Sequence, residues 1–316
     1  MKTKNSIILT ALFSLTLFFN SCDKKELDPD SIITDLKGVY FGQTPPGLIP
    51  ERFPPDILLA NNDWFWHGIP SFSPDLMEMH WGKYSKYPQT DRSELAFVKV
   101  VESKWTQIQT PPFADLNYDE NSPIFSQSGD TLYFLSRRQM GYIFYVTRNN
   151  TGWSQPIQLE IPLPDNKRLG WDFSITKDKS IYMPLFDING TNPPDIYKTS
   201  FTNGQYSMPE NLGYPVNTSF NEFASYIDPE ERFLIFVSNR SGGYGMHDLY
   251  ISSRNQDKTW NNPNNLGSGI NSNQEDSSPY ISPDGLYFFF ITWKAEDLGY
   301  NPYWVDAQVV YNFVEP

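Results

Sequence analysis

The sequence predicts an all-β protein that folds as a single β-propeller of five blades. The first observation is a turn segment that recurs five times, with first residues 53, 50, 52 and 54 positions apart. Regular spacing of roughly fifty residues, with several strands in each unit, is the signature of propeller blades. The second observation is the composition: 16% aromatic residues together with 26 prolines and 19 glycines are typical of short strands joined by many turns.

The recurring turn segments join the first two strands of each unit. Serine or aspartate at the first position can bond the turn's own backbone, and proline or glycine at later positions sets the angles that close the turn. The segments are Ser73-Pro74-Asp75-Leu76, Ser126-Gln127-Ser128-Gly129, Thr176-Lys177-Asp178-Lys179, Asp228-Pro229-Glu230-Glu231 and Ser282-Pro283-Asp284-Gly285. A third strand follows in every unit. A fourth follows an aromatic residue in the first four units, at Trp105, Trp153, Tyr206 and Trp260.

The fifth unit predicts how the ring closes. Its third strand is expected over residues 303–310, and the sequence then ends at Pro316 without room for a fourth. Because proteins generally avoid an unpaired strand edge, the segment 39–59 is predicted to supply the missing strand and to lock the first blade to the last. Six blades are the alternative, and they would require this segment to contribute far more than one strand.

The N-terminal residues are predicted to lie outside the propeller. Lys2 and Lys4 precede an apolar core at 7–19 that is too short for a permanent membrane helix and is typical of a secretory signal. Cys22, the only cysteine, stands at the modification position of a lipobox, so we predict a lipoprotein signal peptide at 1–22 with lipidation at Cys22. A plain signal peptide with a chance cysteine is the alternative.

Three regions follow from this interpretation. The charged segment 23–37 is predicted to be a flexible tether between the lipid and the domain, and residues 38–316 are predicted to form the propeller. The expected location is the cell envelope, with the chain lipid-anchored in the outer membrane at its periplasmic or surface face.

Charge and motifs exclude several classes of function. The net charge of −13, from 37 acidic and 24 basic residues, would be repelled by nucleic-acid phosphates, so no nucleic-acid partner is expected. The three histidines, His67, His80 and His247, lack the spacing of metal ligands. No Gly-x-Ser-x-Gly elbow is present either. We therefore predict no metal, no cofactor and no catalytic residue.

The repeats resemble a known family. The turn segments, together with the run Phe-Val-Ser-Asn-Arg-Ser-Gly-Gly-Tyr-Gly-Met-His-Asp-Leu-Tyr at 236–250, resemble the WD40-like repeats of the TolB type. The resemblance covers roughly residues 67–310 and is most specific in the fourth and fifth units. It implies a periplasmic or surface propeller that binds proteins, peptides or glycans. It implies no chemistry, because one fold hosts many functions.

Acidic and basic residues recur in phase with the turns. Six residues before the turn and twelve residues after it, three units carry an acid and a base at the same end of the blade. The predicted pairs are Glu120 with Arg138, Glu222 with Arg240, and Asp276 with Lys294. We favour a structural ion pair that pins the inner strand of the blade.

The alternative function uses these carboxylates in catalysis. Glu120, Glu222 and Asp276 would face each other across the channel of a carbohydrate-active enzyme, either a glycoside hydrolase or a lyase. Pairing with a base would hold each carboxylate ionised, which opposes the raised pKa that a general acid requires.

The first and third units lack the acid–base pair, and the predicted ligand site lies there. Its residues are Trp66, His67, Trp81, Trp171 and Asp172. An aromatic group of this kind suits stacking on a sugar ring or on a partner side chain. Core packing between blades is the alternative. The leading hypothesis is therefore a non-enzymatic envelope lipoprotein whose propeller binds a protein partner or a glycan.

Overall fold

The computed structural model of the protein describes residues 36–53, 64–85, 92–138, 142–150, 152–294 and 299–314. All of them fall within the unit 32–316. The predicted signal peptide, the lipidation site at Cys22 and most of the predicted tether lie outside the described residues. Within the described ranges, no helix has the length and apolar character needed to cross a membrane.

Short antiparallel strands form the first two blades. A 3-10 turn at Val39–Gly42 and the strand β1 (Glu51–Arg52) precede them. The first blade contains β2 (Trp64–Phe72), β3 (Glu78–Ser85), β4 (Ser93–Val101) and β5 (Lys104–Trp105). The second contains β6 (Glu120–Phe125), β7 (Thr131–Ser136), β8 (Tyr142–Asn149), the short β9 (Gly152–Trp153) and the outer strand β10 (Ile157–Gln158).

The remaining three blades follow in chain order. The third contains β11 (Lys167–Leu169), β12 (Ser174–Ile175), β13 (Ile181–Asp187), β14 (Asp195–Thr199), a side hairpin of β15 (Phe201–Thr202) and β16 (Gln205–Tyr206), and β17 (Glu210–Asn211). The fourth contains β18 (Glu222–Ile227), β19 (Phe233–Ser238), β20 (Asp248–Ser253) and β21 (Asn264–Asn265). The fifth contains β22 (Asp276–Ile281), β23 (Tyr287–Lys294) and β24 (Gly299–Asp306), followed by helix α1 (Gln308–Tyr311).

The five-bladed ring and its closure by an N-terminal strand are confirmed, and the six-bladed alternative is wrong. Strand β1 pairs antiparallel with β24, so that Glu51 lies opposite Trp304. The prediction of a strand through residue 310 is wrong at its end, because helix α1 begins at Gln308. A helical turn places Ala307 and Val310, three residues apart, on one buried side.

The joint between the first and last blades is rich in aromatic residues. Phe53, directly after β1, is fully buried, and its ring centroid lies 5.1 Å from that of Phe289 and 5.2 Å from that of Trp304. The hydroxyl of Tyr40, in the 3-10 turn, donates a hydrogen bond to Asp284 Oδ2 at 2.9 Å. Packed aromatic pairs add stability beyond the area they bury. The closure therefore rests on side-chain packing as well as on the two-residue pairing of β1.

A polar contact joins the first and second blades. Glu78 Oε2 lies 2.7 Å from Arg148 Nη2, and Glu78 Oε1 lies 2.6 Å from His80 Nε2. The guanidinium of Arg148 also covers the ring of Trp153 at 4.3 Å. Burial alone would raise the pKa of Glu78, but hydrogen bonds and charge from His80 and Arg148 outweigh it and lower the pKa from 4.5 to about 2.

This contact predicts a pH-dependent stability. The lowered pKa stabilises the fold above pH 4.5, and the contribution is lost as the pH falls towards 2. Urea unfolding of the wild type and of Glu78→Gln should therefore show a difference that shrinks by up to about 1.4 kcal/mol for each pH unit in that window. The exposed Glu210→Gln serves as control. A difference between wild type and Glu78→Gln that stays constant from pH 7 to pH 3 would contradict the prediction.

Candidate functional site

Each inner strand is interrupted at the same height. The ladder shifts register within β2, β6, β18 and β22, and the third blade breaks between β11 and β12. At this point five residues have positive φ: Gly68, Ser122, Asp172, Ala224 and Ser278. Such angles are uncommon for residues other than glycine, and a bulge redirects side chains. The interruptions turn these residues towards the axis of the ring.

Asp172 closes the channel at this height. Its Oδ1 accepts a hydrogen bond from Ser122 Oγ in the second blade at 2.7 Å, and its Oδ2 accepts one from Ser278 Oγ in the fifth blade at 2.8 Å. A Cβ placed on Gly68 of the first blade would lie 3.8 Å from Oδ1. The carboxylate therefore reaches from the third blade to three others. No ion pair to Asp172 occurs among the described residues.

A cavity of about 280 Å³ extends from Asp172 to the turn segments of the first, second, fourth and fifth blades, and we call it the channel cavity. All five blades line it, through residues 69–72, 74, 122–127, 172–175, 225–229, 232, 278–283 and 285 with Tyr311. At its rim Arg232 pairs with Asp228 through two hydrogen bonds of 2.7 and 3.0 Å. Burial raises the pKa of Tyr226 well above its ordinary value, so that its hydroxyl stays neutral.

Hydroxyl groups in this lining also join neighbouring blades. Ser71 Oγ accepts the backbone N–H of Phe125 at 3.2 Å, and Ser174 Oγ accepts that of Ile227 at 3.0 Å. In the same way the hydroxyl of Tyr280 accepts a backbone N–H of the first blade at 3.3 Å. Ser71, Ser174 and Tyr280 all stand two residues before a turn segment. That spacing is the sequence signal that would have found them.

The opposite end of the blades, where the inner strands begin, holds the predicted acid–base pairs; we call it the acid end. Glu120 Oε1 accepts hydrogen bonds from Arg138 Nε at 2.8 Å and from Ser136 Oγ at 2.9 Å. Glu120 Oε2 accepts the backbone N–H of Asp115, in the loop that enters the blade, at 2.9 Å. The carboxylate thus ties the inner strand, the second strand and the entry loop together.

The fourth blade repeats this arrangement. Glu222 Oε1 lies 3.2 Å from Arg240 Nη2 and 2.8 Å from Ser238 Oγ, while Oε2 accepts the backbone N–H of Thr218 at 2.8 Å. Because Glu222 is fully buried and fully bonded within one blade, it has the surroundings of a structural group.

In the fifth blade Asp276 accepts hydrogen bonds from Thr292 Oγ1 at 2.7 Å and from the backbone N–H of Ser272. The side chain of its predicted partner, Lys294, lies outside the described residues. Pairing with a base was expected to hold these carboxylates ionised. Burial instead raises the pKa values of Glu120 and Asp276, because desolvation outweighs the hydrogen bonds that each carboxylate accepts.

The predicted ligand residues are divided between three environments. Trp66 and Trp81 are fully buried, with ring centroids 5.1 Å apart, so they are core residues and this part of the predicted site is corrected. Both pack into the joint between the first and last blades. Burial lowers the pKa of the half-buried His67. Trp171 is 46% exposed at the acid end, and Asp172 lies in the channel.

Sequence reasoning missed a set of exposed large apolar side chains that lie at the same end of the blades as Trp171. Eight large apolar side chains, 37% to 83% exposed, lie at the acid end of the second to fourth blades. We call them the aromatic face: Leu116, Tyr118, Trp171, Ile188, Tyr214, Phe220, Tyr244 and Met246. A small cleft beside Trp171 is lined by Arg137 and Arg168. The sequence signal that could have found the aromatic face is the presence of aromatic residues within predicted loops.

The first described residues contact the propeller at the end of the blades opposite the acid end. The turn segments lie there, and we call it the turn end. The carbonyl of Leu36 accepts the backbone N–H of Trp105, at the turn end of the first blade, at 3.1 Å. Tyr40 bonds to Asp284, which belongs to the turn segment of the fifth blade. The N-terminal segment and the aromatic face thus lie at opposite ends of the blades. Within the described ranges, no group of three or more His, Cys, Asp or Glu side chains could hold a metal ion.

No protein-family model matches this chain, and no curated protein matches it in sequence. Among solved structures it is similar to a protein of unknown function from Dyadobacter fermentans DSM 18053, at 12% identity and a TM-score of 0.50, over 82% of this chain and 84% of that one.

Two TolB proteins are also similar. Putative TolB from Agrobacterium tumefaciens is 16% identical over 76% of this chain and 73% of that chain, with a TM-score of 0.48. TolB from Acinetobacter baumannii is 14% identical over 78% of this chain and 56% of that chain, with a TM-score of 0.49. Identities this low bear on the fold alone. The five-bladed ring is consistent with the TolB-type repeats identified in the sequence.

Proposed function

We propose that the chain is a cell-envelope lipoprotein whose propeller is a non-enzymatic binding module for a protein partner. The observation that carries the proposal is the aromatic face, where eight large apolar side chains are exposed at one end of the blades. Tyr, Trp, Phe and Met are among the residues enriched at the cores of protein interfaces, and the aromatic ones bury much area for little lost side-chain freedom.

The position of the aromatic face favours a protein over a membrane as its occupant. A lipid on Cys22 would attach the propeller through Leu36, which lies at the turn end of the blades. The aromatic face lies at the acid end, at the other end of the blades from Leu36. Two arginines beside Trp171 add positive groups at the edge of a protein whose net charge is −13: Arg168, and Arg137, which lies 3.4 Å from Asp119 of its own blade. They would suit acidic side chains of the partner.

The glycan and enzyme alternatives are less well supported. Sugar stacking was expected from three tryptophans, but Trp66 and Trp81 are buried and only Trp171 is exposed. Glycoside hydrolysis needs accessible carboxylates, whereas Glu120 and Glu222 are buried and bonded to the base and hydroxyl of their own blades. Their environment supports a structural role.

Site-specific photo-crosslinking in the cells that produce the protein tests the proposal. A photoreactive residue in place of Tyr214, which is 83% exposed, or of Tyr244 should give one discrete crosslinked protein. The same residue at Glu210, exposed on an outer strand, is the matched control and should give none. Equal crosslinking at all three positions, or crosslinks to lipid alone, would contradict partner binding at the aromatic face.

Two variants complete the test. The double variant Trp171→Ala with Tyr244→Ala should reduce the crosslink from position 214 at least tenfold, because interface energy is concentrated in buried aromatic anchors. Its melting temperature should stay close to that of the wild type, since both side chains are exposed. Cys22→Ser should abolish fatty-acid labelling and release the protein from the membrane fraction; retained labelling would refute the lipid anchor.

A further inference from the structure

We propose that the channel cavity binds a primary ammonium group, with Asp172 as its anionic acceptor. This site is distinct from the aromatic face, because the channel cavity opens at the turn end of the blades. Each oxygen of the Asp172 carboxylate accepts one hydrogen bond from a serine, at 2.7 and 2.8 Å. A carboxylate offers about four acceptor positions, so two remain for a ligand.

The charges that line the channel cavity favour a cation. Among the described residues that line it, Asp172 and Asp228 are acidic and Arg232 is basic. Arg232 bonds through two nitrogens to Asp228, and no ion pair to Asp172 occurs among the described residues. The charge of Asp172 acts on the nearby His67, but burial outweighs it and lowers the pKa of that imidazole. A phosphate or carboxylate would be repelled by this lining. An ammonium group would complement the negative charge of Asp172.

A second, independent observation is a buried hydroxyl without a partner. Ser225 lines the channel cavity, is 4% exposed, and its Oγ has no hydrogen-bond partner. Buried polar groups are usually satisfied, so an exception that lines a cavity is an acceptor open to a ligand donor. The neighbouring hydroxyl of Tyr226 stays neutral and also lines the channel cavity. An ammonium group has three donors, which suits one carboxylate and additional hydroxyl oxygens.

The size and composition of the channel cavity narrow the ligand further. A volume of about 280 Å³ is at the lower limit of small-molecule pockets, which start at roughly 300 Å³. It therefore suits a lysine side chain or a single amino sugar. A divalent cation would need several carboxylate ligands, and the described residues hold no such group.

Binding measurements on the purified protein test the proposal with two pairs of probes. Nα-acetyl-lysine amide is compared with the uncharged Nα-acetyl-norleucine amide, and glucosamine with glucose, by calorimetry at pH 7 and low salt. We expect at least one charged probe to bind ten times more tightly than its uncharged counterpart. The two pairs distinguish a lysine side chain from an amino sugar as the source of the ammonium group.

Three variants locate the binding. Asp172→Asn should abolish the preference for charge while keeping the fold, because asparagine tolerates the φ of 62° and can still bond to Ser122 and Ser278. Ser225→Ala should weaken ammonium binding several-fold without lowering the unfolding midpoint. Glu210→Gln makes the same change in net charge as Asp172→Asn at an exposed site and should have no effect.

Three results would overturn the proposal: equal binding of charged and uncharged probes, a preference for charge that survives Asp172→Asn, or displacement of the probe by millimolar Ca²⁺ in an Asp172-dependent way. Each concerns purified protein without a partner. Failure here therefore leaves the proposed partner binding untouched, and failure of crosslinking at the aromatic face leaves the channel cavity untouched.

Discussion

Replacement of Arg240 by methionine is expected to lower the free energy of unfolding by about 3 to 5 kcal/mol at pH 7. The Glu222 carboxylate is fully buried, and Arg240 is the cation that pairs with it, at 3.2 Å. Without Arg240 a buried charge remains, and this costs far more than the pair contributes when intact. Methionine still packs on Phe236 and Tyr250, whose ring centroids lie 5.1 and 5.0 Å from the guanidinium carbon. Urea unfolding measures the change.

A double-mutant cycle provides the control for this prediction. Glu222→Gln with Arg240→Met should recover most of the loss, because neither buried charge remains and the amide can still bond to Ser238 and Thr218. If Arg240→Met unfolds at the urea concentration of the wild type, the carboxylate is not held by this pair. The Glu222 carboxylate would then be held at the acid end by its hydroxyl and backbone hydrogen-bond donors alone.

The blade number and the closure could be predicted because they depend on local chemistry that repeats. Ser282, Pro283 and Asp284 form a turn whose geometry their own side chains set, as Ser282 Oγ bonds to Asp284 Oδ1 at 2.6 Å. The nearly equal spacing of the turn segments then gives the number of blades without any knowledge of how they pack. Closure follows from the rule that a sheet edge should be paired, which β1 satisfies.

The site was harder to predict because a bulge changes which side chains face the channel. Alternation along an uninterrupted strand would place the side chains of Trp171 and Asp172 on opposite faces of the blade, yet one is exposed at the acid end and the other lies at the centre of the ring. Trp66 and Trp81 lie on paired strands of the first blade and face its core. Composition could not distinguish that arrangement from a binding platform.

The acid–base pairs show what residue spacing can and cannot give. The period placed Glu120 beside Arg138 and Glu222 beside Arg240, as the structure does. The hydroxyls that share each carboxylate, at Ser136 and Ser238, stand two residues before the base and were overlooked. The backbone donors of the entry loops were also overlooked, because the path of a loop depends on tertiary contacts.

Phe53→Ala is the second change with a large expected effect, about 3 to 5 kcal/mol of lost stability. Phe53 is fully buried in the joint where the ring closes, against Phe72, Phe289 and Trp304. Truncation leaves a cavity between two blades that a rigid ring cannot easily collapse. The midpoint of urea unfolding should fall while its slope stays constant. Ile49→Ala, in the same segment but 79% exposed, should change stability by less than about 0.5 kcal/mol.

The series Phe53→Leu and Phe53→Ala then separates packing from strand pairing as the source of closure. Both variants keep the backbone N–H that donates to the carbonyl of Pro302 at 2.9 Å, and both keep the pairing of β1 with β24. If packing closes the ring, leucine should lose clearly less stability than alanine, in proportion to the volume removed. Equal and small losses for both would instead assign the closure to hydrogen bonds. We expect the first outcome, because β1 pairs through two residues and each hydrogen bond contributes only about 1 kcal/mol net.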